Sequence, residues 1–357
     1  MHAKATMKFV VDDKIPYIRE TLALLADEVV YLKGSEISPD DVRDADALIV
    51  RTRTRCDERL LKDSKVQFVG TATIGYDHID TIWCEQNGIF WTNCPGCNSG
   101  SVAQYIESVL LSLLPSPPLP QLTLGVVGCG HVGSKVCRVG ERLGLRVLVN
   151  DPPLENRIQN TPSANISNHN SQFPILNFQL NFVFLETIAR EADIITFHVP
   201  LDDSTRYLAD AAFFAKLARQ PIIINSSRGG VVNESALLQA LNEGKVSRAV
   251  IDTWENEPNI SRALLNKVYI GTPHIAGYSA DGKVNADNMI VEALCRHFHL
   301  PLPPRILPPP STLHLPTSTF RQVGYDVMED CRKLKTHPEK FEEFRGNYPV
   351  RRENFVW

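Results

Sequence analysis

The sequence contains no long hydrophobic run. Nowhere does it approach the roughly 18 consecutive apolar residues that a membrane-spanning helix needs, and the segment Met1–Lys8 leads only into a short apolar stretch, Phe9–Val11. That stretch is too short for the apolar centre of a signal peptide, which takes about 7–15 residues. We therefore expect a cytoplasmic protein without a membrane partner.

Positive charge is not in excess. Lysine and arginine number 37 against 41 acidic residues, the net charge is −4, and no long run of one sign occurs. Domains that bind nucleic acid usually carry a basic patch or stripe, so we expect no nucleic acid as a partner. The hydrophobic fraction of 43% and the charged fraction of 22% are those of a globular protein, and 357 residues are enough for two or three domains.

Cysteines are limited to eight in 357 residues, and we expect them to be reduced thiols. One pair, Cys94 and Cys97, has the Cys-x-x-Cys spacing that a redox pair or half of a metal site would also have. A turn shaped by Pro95 and Gly96 explains the same spacing, and no second Cys-x-x-Cys is present to complete a zinc site. We expect the turn and no metal.

Glycines cluster after one apolar run. Leu124–Val127 leads into Gly128, Gly130 and Gly133, and a helix-compatible segment follows. This arrangement is typical of the turn in a βαβ dinucleotide-binding unit, where the glycines permit a tight turn, close approach to a pyrophosphate and close packing of helix on strand. The amides at the helix start would hold the phosphates. A plain strand-to-helix turn closed by glycines is the alternative.

The next apolar run, Arg146–Asn150, ends at Asp151. An acidic residue at this position suits the ribose hydroxyls of NAD and would repel the additional phosphate of NADP. We therefore predict NAD as the cofactor.

Short apolar runs alternate with helix-compatible segments along most of the chain. Such runs occur throughout residues 7–93, where Ala47–Val50 is one predicted strand and Ile18–Ala26 has helical spacing, and again between residues 193 and 252. This alternation predicts an α/β fold with doubly wound parallel sheets, in which ligands bind outside the carboxyl ends of the strands. The pattern also predicts an amphipathic helix at 101–114, a proline-rich linker at 115–120 and an exposed loop at 156–172.

Two segments at predicted strand ends are candidates for anion binding. Arg51, Arg53 and Arg55 follow one strand. They could bind an anion, since guanidinium groups match carboxylates and phosphates. The alternative is a charged edge exposed to solvent. The segment Thr71–Gly75 follows the next strand and offers hydroxyls and backbone amides that suit a carboxylate. We favour an anion site at the arginines because of their place at a strand end.

Three further strand ends carry groups suited to hydride transfer. Arg228 follows one strand, Glu255 and Glu257 follow the next, and His274 follows the last. An arginine would fix a substrate carboxylate, a histidine would take the hydroxyl proton, and a carboxylate beside the histidine would stabilise its protonated form. Singly, each could be a surface or loop residue, and spacing alone does not show whether Glu257 contacts His274.

Residues 7 to about 295 resemble the D-isomer-specific 2-hydroxyacid dehydrogenases. The glycine-rich turn, Asn225–Val232, Asp252–Pro258 and Thr272–Gly277 follow one another in that family's order. Further stretches resemble one branch of the family, which acts on a phosphorylated 2-hydroxy acid and has an additional C-terminal dimerisation domain. These stretches are Phe68–His78, Cys94–Asn98, Asn150–Pro153, Asp193–Leu201, Gly271–Tyr278 and Phe344–Arg352.

The resemblance implies a domain organisation. A flavodoxin-like substrate-binding domain would cover residues 1–93 and be completed by about 278–290, a Rossmann NAD-binding domain would cover 94–277, and a small C-terminal dimerisation domain would cover 288–357. The chain would act as a homodimer. Near its end, Arg351 and Arg352 would either reach a partner's active site or be solvated.

The resemblance also implies site residues and a substrate class. The catalytic set would be Arg228, Glu257 and His274, acting on a phosphorylated 2-hydroxy acid. Substrate contacts would come from Arg51, Thr52, Thr73 and Tyr278, and the NAD site would be lined by Gly128, Gly130, His131, Val132, Gly133, Asp151, Val199, Ser226, Ser227, Asp252 and Gly277. Two alternatives are left open: a dehydrogenase for another 2-hydroxy acid such as 3-phosphoglycerate, and a binding protein that senses NAD(H) without catalysis.

Overall fold

Strands and helices alternate along the chain and form two separate parallel sheets. The computed structural model describes residues 6–114, 121–160, 180–313 and 323–353. The first unit comprises Met1–Asn98 and Ser279–Pro310, and the second comprises Ser99–Tyr278 and Ser311–Trp357. The predicted α/β class with two doubly wound parallel sheets is confirmed. The first boundary falls after Asn98 rather than after residue 93.

The first unit is built on a five-stranded sheet with the flavodoxin-like order β2-β1-β3-β4-β5. Its strands are β1 Lys8–Asp12, β2 Glu28–Leu32, β3 Ala47–Val50, β4 Phe68–Thr71 and β5 Phe90–Thr92. Its helices are α1 Arg19–Leu22, α2 Pro39–Val42, α3 Glu58–Leu61, α4 Thr81–Gln86 and α12 Ala280–Phe298. Strands β3 and β4 are buried along their whole length, as parallel strands covered on both faces are.

The second unit is built on a six-stranded sheet with the order β11-β10-β9-β8-β6-β7. Its strands are β6 Thr123–Val127, β7 Arg146–Asn150, β8 Ile194–Phe197, β9 Ile222–Asn225, β10 Arg248–Ile251 and β11 Ile270–Gly271. Its helices are α5 Ser99–Leu113, α6 Gly133–Arg142, α7 Pro152–Asn160, α8 Leu185–Glu191, α9 Ala211–Ala215, α10 Glu234–Asn242, α11 Arg262–Lys267, α13 Val327–Thr336 and α14 Phe341–Gly346. The strand order reverses at β6, so the carboxyl end of this strand is the switch point at which such sheets bind ligands.

Helix α5 differs from its prediction. An amphipathic helix with one apolar side was expected at 101–114, yet Ser99–Leu110 is buried on all sides. The C-terminal segment of the chain covers the polar side, where the Gln104 side chain donates to the backbone oxygens of Val323 and Arg352 at 2.6 and 2.9 Å. These hydrogen bonds make the burial of a polar side chain tolerable.

The residues predicted to form a C-terminal domain, 288–357, are divided between the two units. Ile290 of α12 lies in a core of the first unit, whereas the chain from Ser311 onward belongs to the second. There Leu334 and Phe341 join the core that packs against the larger sheet. The described part of 288–357 is thus divided between the two units, and a C-terminal dimerisation domain stays a prediction.

The segment after β7 begins as a helix. An exposed loop was predicted from residue 156, but α7 continues to Asn160. The helix forms because the Asp151 carboxylate accepts the Leu154 amide in the first turn, at 2.9 Å. The loop prediction is thus wrong for its first residues. Its remainder, 161–172, lies outside the described residues, as does the predicted linker.

Past this segment, the chain returns to the edge of the second sheet. Phe182 forms a parallel bridge with Val149 of β7, and the Val183 amide donates to the Val149 carbonyl at 2.8 Å. The bridge adds one short pairing beyond β7, at the place where a doubly wound dinucleotide-binding sheet has its third strand.

Candidate active site

The glycine-rich turn joins β6 to α6 at the switch point of the second sheet. Gly128 has a φ of +88°, and a Cβ atom there would lie 2.8 Å from the backbone of His198. At Gly133 a Cβ atom would lie 1.9 Å from the Gly128 carbonyl oxygen, so only glycine permits this approach of helix to strand. At Gly130 no described atom lies within 4 Å of the Cβ position, which leaves room for a phosphate group.

The start of α6 is suited to an anion. Its N-cap residue, Val132, makes no side-chain capping hydrogen bond, and the amides of Ser134 and Lys135 donate to the backbone oxygens of Gly130 and Val132 at 3.1 and 3.0 Å. His131 precedes the helix, and burial lowers the pKa of its imidazole. The positive end of the helix dipole favours a phosphate at this place.

Asp151 braces the turn from the neighbouring strand. One carboxylate oxygen accepts the Cys129 amide at 2.7 Å, and the other accepts the Leu154 amide of α7 at 2.9 Å. Each oxygen can accept a further hydrogen bond, so these contacts are compatible with the predicted ribose contact. Val199 lies across the turn, with Cγ1 2.8 Å from the Cβ position of Gly128.

The segment after β9 is organised by Asn225, for which the sequence predicted no role. Its side-chain nitrogen donates to the Arg228 carbonyl at 2.9 Å, and its side-chain oxygen accepts the amide and hydroxyl of Ser227 at 3.2 and 2.8 Å. Arg228 itself is exposed and donates to the Ser227 carbonyl at 2.8 Å. Ser226 is buried, and its hydroxyl has no hydrogen-bond partner among the described residues, which is compatible with the predicted cofactor contact.

Glu257 and His274 meet across the ends of β10 and β11. Glu257 Oε2 lies 2.8 Å from His274 Nδ1, and Glu257 Oε1 accepts the Trp254 amide at 2.9 Å. Burial alone would favour the neutral carboxyl, but the hydrogen bond and charge of His274 outweigh it and hold the pKa of Glu257 below its usual value. With Nδ1 donating to this carboxylate, Nε2 carries the lone pair that can accept a proton.

Asp252 holds the loop that carries His274. Its buried carboxylate accepts the amides of Ile275 and Ala276 at 2.8 and 3.0 Å, and the hydroxyl of Thr272 at 2.6 Å. Its backbone oxygen accepts the His274 amide at 2.8 Å. Burial raises the pKa of Asp252, although the His274 charge and these hydrogen bonds oppose the shift. The predicted cofactor residue Asp252 thus also organises the loop, which continues to Gly277.

Tyr278, at the end of the same loop, packs against the C-terminal segment. Its ring is T-shaped to that of Tyr348, with centroids 5.9 Å apart, and the Arg345 guanidinium carbon lies 5.9 Å from the Tyr278 centroid. The positive charge of Arg345 also contributes to the lowered pKa of Glu257. Arg345 could not be predicted as a neighbour of this site, because no strand pattern indicates that the C-terminal segment returns to this loop.

The other predicted substrate residues, Arg51, Thr52 and Thr73, lie in the first unit. They follow the neighbouring strands β3 and β4, so the structure brings them to one edge of that sheet. Arg51 donates to the Lys14 carbonyl at 3.2 Å, and Thr52 is exposed. The Thr73 hydroxyl donates to the Gly75 carbonyl at 2.8 Å. Their contacts with a substrate stay predictions.

Cys94 and Cys97 are both buried and are not joined by a disulfide. Burial raises the pKa of the Cys94 thiol, which disfavours the reactive thiolate. Within the described ranges, no group of three or more histidine, cysteine or acidic side chains could hold a metal ion. Of the helices in the described part of the chain, none combines the length and apolar character that crossing a bilayer requires.

Comparison with known proteins identifies the class to which this site belongs. Residues 112–276 match the family model described as D-isomer specific 2-hydroxyacid dehydrogenase, NAD binding domain. The structure of the D-mandelate dehydrogenase of Rhodotorula graminis superposes with a TM-score of 0.68 at 19% identity, covering 85% of this chain and 99% of its own. The chain belongs to the D-isomer specific 2-hydroxyacid dehydrogenase family. It is an NAD-dependent oxidoreductase, so the predicted family and cofactor are confirmed.

Two relatives that span almost the whole chain share a more specific name. A protein of Bacteroides thetaiotaomicron named erythronate-4-phosphate dehydrogenase is 51% identical over 358 residues, covering 97% of each chain. A protein of the same name from Porphyromonas gingivalis is 38% identical over 365 residues, covering 97% of this chain and 94% of its own. The similarity therefore includes the C-terminal segment as well as the two sheets.

Proposed function

We propose that the protein oxidises the C2 hydroxyl of 4-phospho-D-erythronate with NAD, giving (R)-3-hydroxy-2-oxo-4-phosphooxybutanoate. The observation that carries the proposal is the 2.8 Å contact between Glu257 and His274, in a chain whose relatives are named erythronate-4-phosphate dehydrogenase. We place this reaction in the biosynthesis of pyridoxal 5'-phosphate.

The glycine-rich turn supports NAD as the oxidant. Gly128 and Gly133 form a cradle that Cβ atoms would fill, and α6 directs its positive end toward it. When bound, NAD supplies the acceptor for the hydride that leaves the substrate carbon. Asp151 selects NAD over NADP because its negative charge repels an additional phosphate on the ribose.

His274 acts as the general base through Nε2. Glu257 accepts a hydrogen bond from Nδ1–H, which fixes the tautomer of the ring. Its negative charge stabilises the positive charge that forms when Nε2 takes the hydroxyl proton. In the reverse direction the imidazolium returns this proton to the carbonyl oxygen of the 2-oxo acid. One histidine thus serves as base for oxidation and as acid for reduction.

Arg228 orients the substrate carboxylate. Asn225 holds the backbone of this residue, and the planar guanidinium can form two parallel hydrogen bonds with a carboxylate. Tyr278 and, in the first unit, Arg51, Thr52 and Thr73 are the further substrate contacts that the sequence predicts. A phosphorylated hydroxy acid has two anionic ends, which suits arginines at more than one position.

The homodimer also stays a prediction, which sedimentation analysis of the purified chain would check.

The test is turnover with a matched set of substrates. The purified protein is given NAD with 4-phosphoerythronate, 3-phosphoglycerate or D-lactate, and NADH formation is followed. Parallel reactions contain a 2-oxo acid, which reoxidises any NADH that stays bound, and are followed by substrate consumption. We expect preference for 4-phosphoerythronate and a loss of about 10²–10⁴-fold in kcat in His274→Ala, the usual contribution of a general base.

Each other outcome would change the conclusion differently. Activity confined to another hydroxy acid would retain the family and contradict the substrate. Turnover that survives in His274→Ala would contradict the role of His274. Tight NADH binding without turnover of any hydroxy acid would contradict the enzyme and favour a sensor.

A further inference from the structure

A buried arginine from the end of the chain lies against the loop that carries His274. Arg351 has no exposed surface. Its Nη2 donates to the Ala276 carbonyl at 2.6 Å and to the Ser101 hydroxyl at 2.6 Å, and lies 3.4 Å from the Ile275 carbonyl oxygen. The two carbonyls belong to the residues that directly follow His274.

The loop is consequently held through both kinds of backbone group. Asp252 accepts the amides of Ile275 and Ala276, whereas Arg351 donates to their carbonyls. His274 needs such support, because its φ of +54° lies in the left-handed region, which is unfavourable for a residue with a side chain. Strained backbone persists only where the surrounding structure determines it closely.

The hydrogen bonds of the buried Arg351 guanidinium are incomplete. Its guanidinium carbon lies 4.4 Å from the centroid of the Tyr325 ring, a cation–π contact. Its Nε and Nη1 are buried without a hydrogen-bond partner in the described ranges. Burying a charged group whose hydrogen bonds are incomplete is unfavourable, so a role of this side chain has to be sought in what it contacts, which is the loop.

We propose that Arg351 is a positioning residue that fixes the loop from His274 to Gly277 by holding its carbonyls, while Asp252 holds its amides. The proposal rests on the proposed function of His274 as the acid and base. It joins the C-terminal segment to catalysis within a single chain, rather than through a partner's active site or as a solvated residue. Lysine does not replace the arginine, since its ammonium ends one bond short of the Nη2 position and lacks the planar group that contacts the Tyr325 ring.

The test compares Arg351→Lys and Arg351→Met with Arg332→Met, the same change at an exposed arginine of the same segment. In both Arg351 variants we expect kcat to fall about 10- to 100-fold, as a small displacement of a reacting group allows, with KM for NAD and for substrate changed less than about 3-fold. Arg332→Met should change neither. A purely structural role would instead lower the unfolding midpoint and leave kcat of the folded enzyme unchanged.

A second measurement does not depend on turnover. Hydrogen exchange of the peptide containing residues 272–278 should become at least about tenfold faster in Arg351→Met, since the amides of Ile275 and Ala276 open when the loop is loosened. Should Arg351→Met fail to fold, Ser101→Ala removes one partner of the guanidinium and should give a smaller loss of kcat and faster exchange in the same peptide.

The outcomes separate this inference from the proposed function. Wild-type kcat and wild-type loop exchange in the Arg351 variants, or in Ser101→Ala if those do not fold, would overturn the positioning role. Absence of turnover in the wild type would contradict the proposed function, and the exchange measurement would still decide whether Arg351 holds the loop.

Discussion

At His274 the backbone and the side chain are held by different groups. The amide donates to the Asp252 carbonyl at 2.8 Å, and Nδ1 is 2.8 Å from Glu257. The residue therefore has little freedom to turn its ring. A base held in this way keeps Nε2 directed to one place, which is the condition for efficient proton transfer.

Replacing Glu257 with glutamine tests its role as the partner of His274. Glutamine has one oxygen where Glu257 uses two, so it cannot accept both the Trp254 amide and Nδ1–H, and it has no charge to stabilise an imidazolium. We therefore expect kcat to fall at least about 100-fold with KM changed less than about 3-fold. Steady-state kinetics of NADH formation measures both. The control is Glu255→Gln, because Glu255 binds the Glu234 amide and the Tyr207 hydroxyl instead. An equal loss in both variants would contradict the special role of Glu257.

The residues of this pair were predictable, but their contact was not. Glu257 and His274 each follow an apolar run, and the carboxyl ends of parallel strands share one sheet edge, so their proximity could be expected from the sequence. The hydrogen bond depends on local turns, including the Trp254 amide that holds the other carboxylate oxygen. Side-chain spacing along the chain does not encode such turns.

At the scale of elements, the glycine-rich turn and α6 depend on two glycines for different reasons. The Cβ position of Gly133 is 1.9 Å from the Gly128 carbonyl oxygen, whereas that of Gly130 has no described neighbour within 4 Å. Gly133 is therefore required by the fold. Gly130 is required only if a ligand approaches the backbone there.

Gly133→Ala and Gly130→Ala form a matched pair that separates these requirements. Gly133→Ala should lower the free energy of unfolding by about 2 kcal/mol or more, because the backbone must move apart. Gly130→Ala should change it by no more than about 0.5 kcal/mol, while weakening NADH binding. Urea unfolding and fluorescence titration with NADH measure the two effects. Equal destabilisation by both substitutions would contradict this account of the turn.

Most strands were predictable because buried parallel strands form continuous apolar runs. The predicted runs at 47–50 and 146–150 coincide with β3 and β7. Helices were less predictable: the spacing of apolar residues predicts a helix at 18–26, but α1 covers only Arg19–Leu22. The burial of α5 could not be read from its own residues, since Gln104 and Val323 are 219 positions apart.

At the scale of the whole molecule, a carboxyl with a raised pKa in each unit makes stability depend on pH. Burial raises the pKa of Asp287 to about 7 in the first unit and that of Glu234 to about 7 in the second. Unfolded carboxyls titrate near about pH 4, so between about pH 4 and 7 the folded chain binds more protons than the unfolded chain. The contribution of these two carboxyls to the free energy of unfolding therefore falls as the pH rises through this range.

Asp287→Asn and Glu234→Gln should each weaken this dependence. The amides retain an acceptor for the Tyr17 and Glu255 backbone amides, respectively, but cannot ionise. At each pH the effect of a variant is its free energy of unfolding minus that of the wild type. We expect this difference to be about 1–3 kcal/mol more favourable at about pH 8 than at about pH 5. Urea unfolding at both pH values checks this. Glu292→Gln, at an exposed carboxyl of α12, is the control and should leave the pH dependence as in the wild type.

Both units are completed by residues that follow the strands of their sheets in the chain. The first lacks α12 until Ser279–Pro310 has been translated, and the second lacks its covering segment until Ser311–Trp357 follows. While the chain is still on the ribosome, the amino-terminal sheet has therefore emerged with part of its apolar surface uncovered. Incomplete sheets of this kind are prone to aggregate and are bound by chaperones. The order of the chain thus leaves part of the apolar surface of both sheets uncovered until these later segments have been translated.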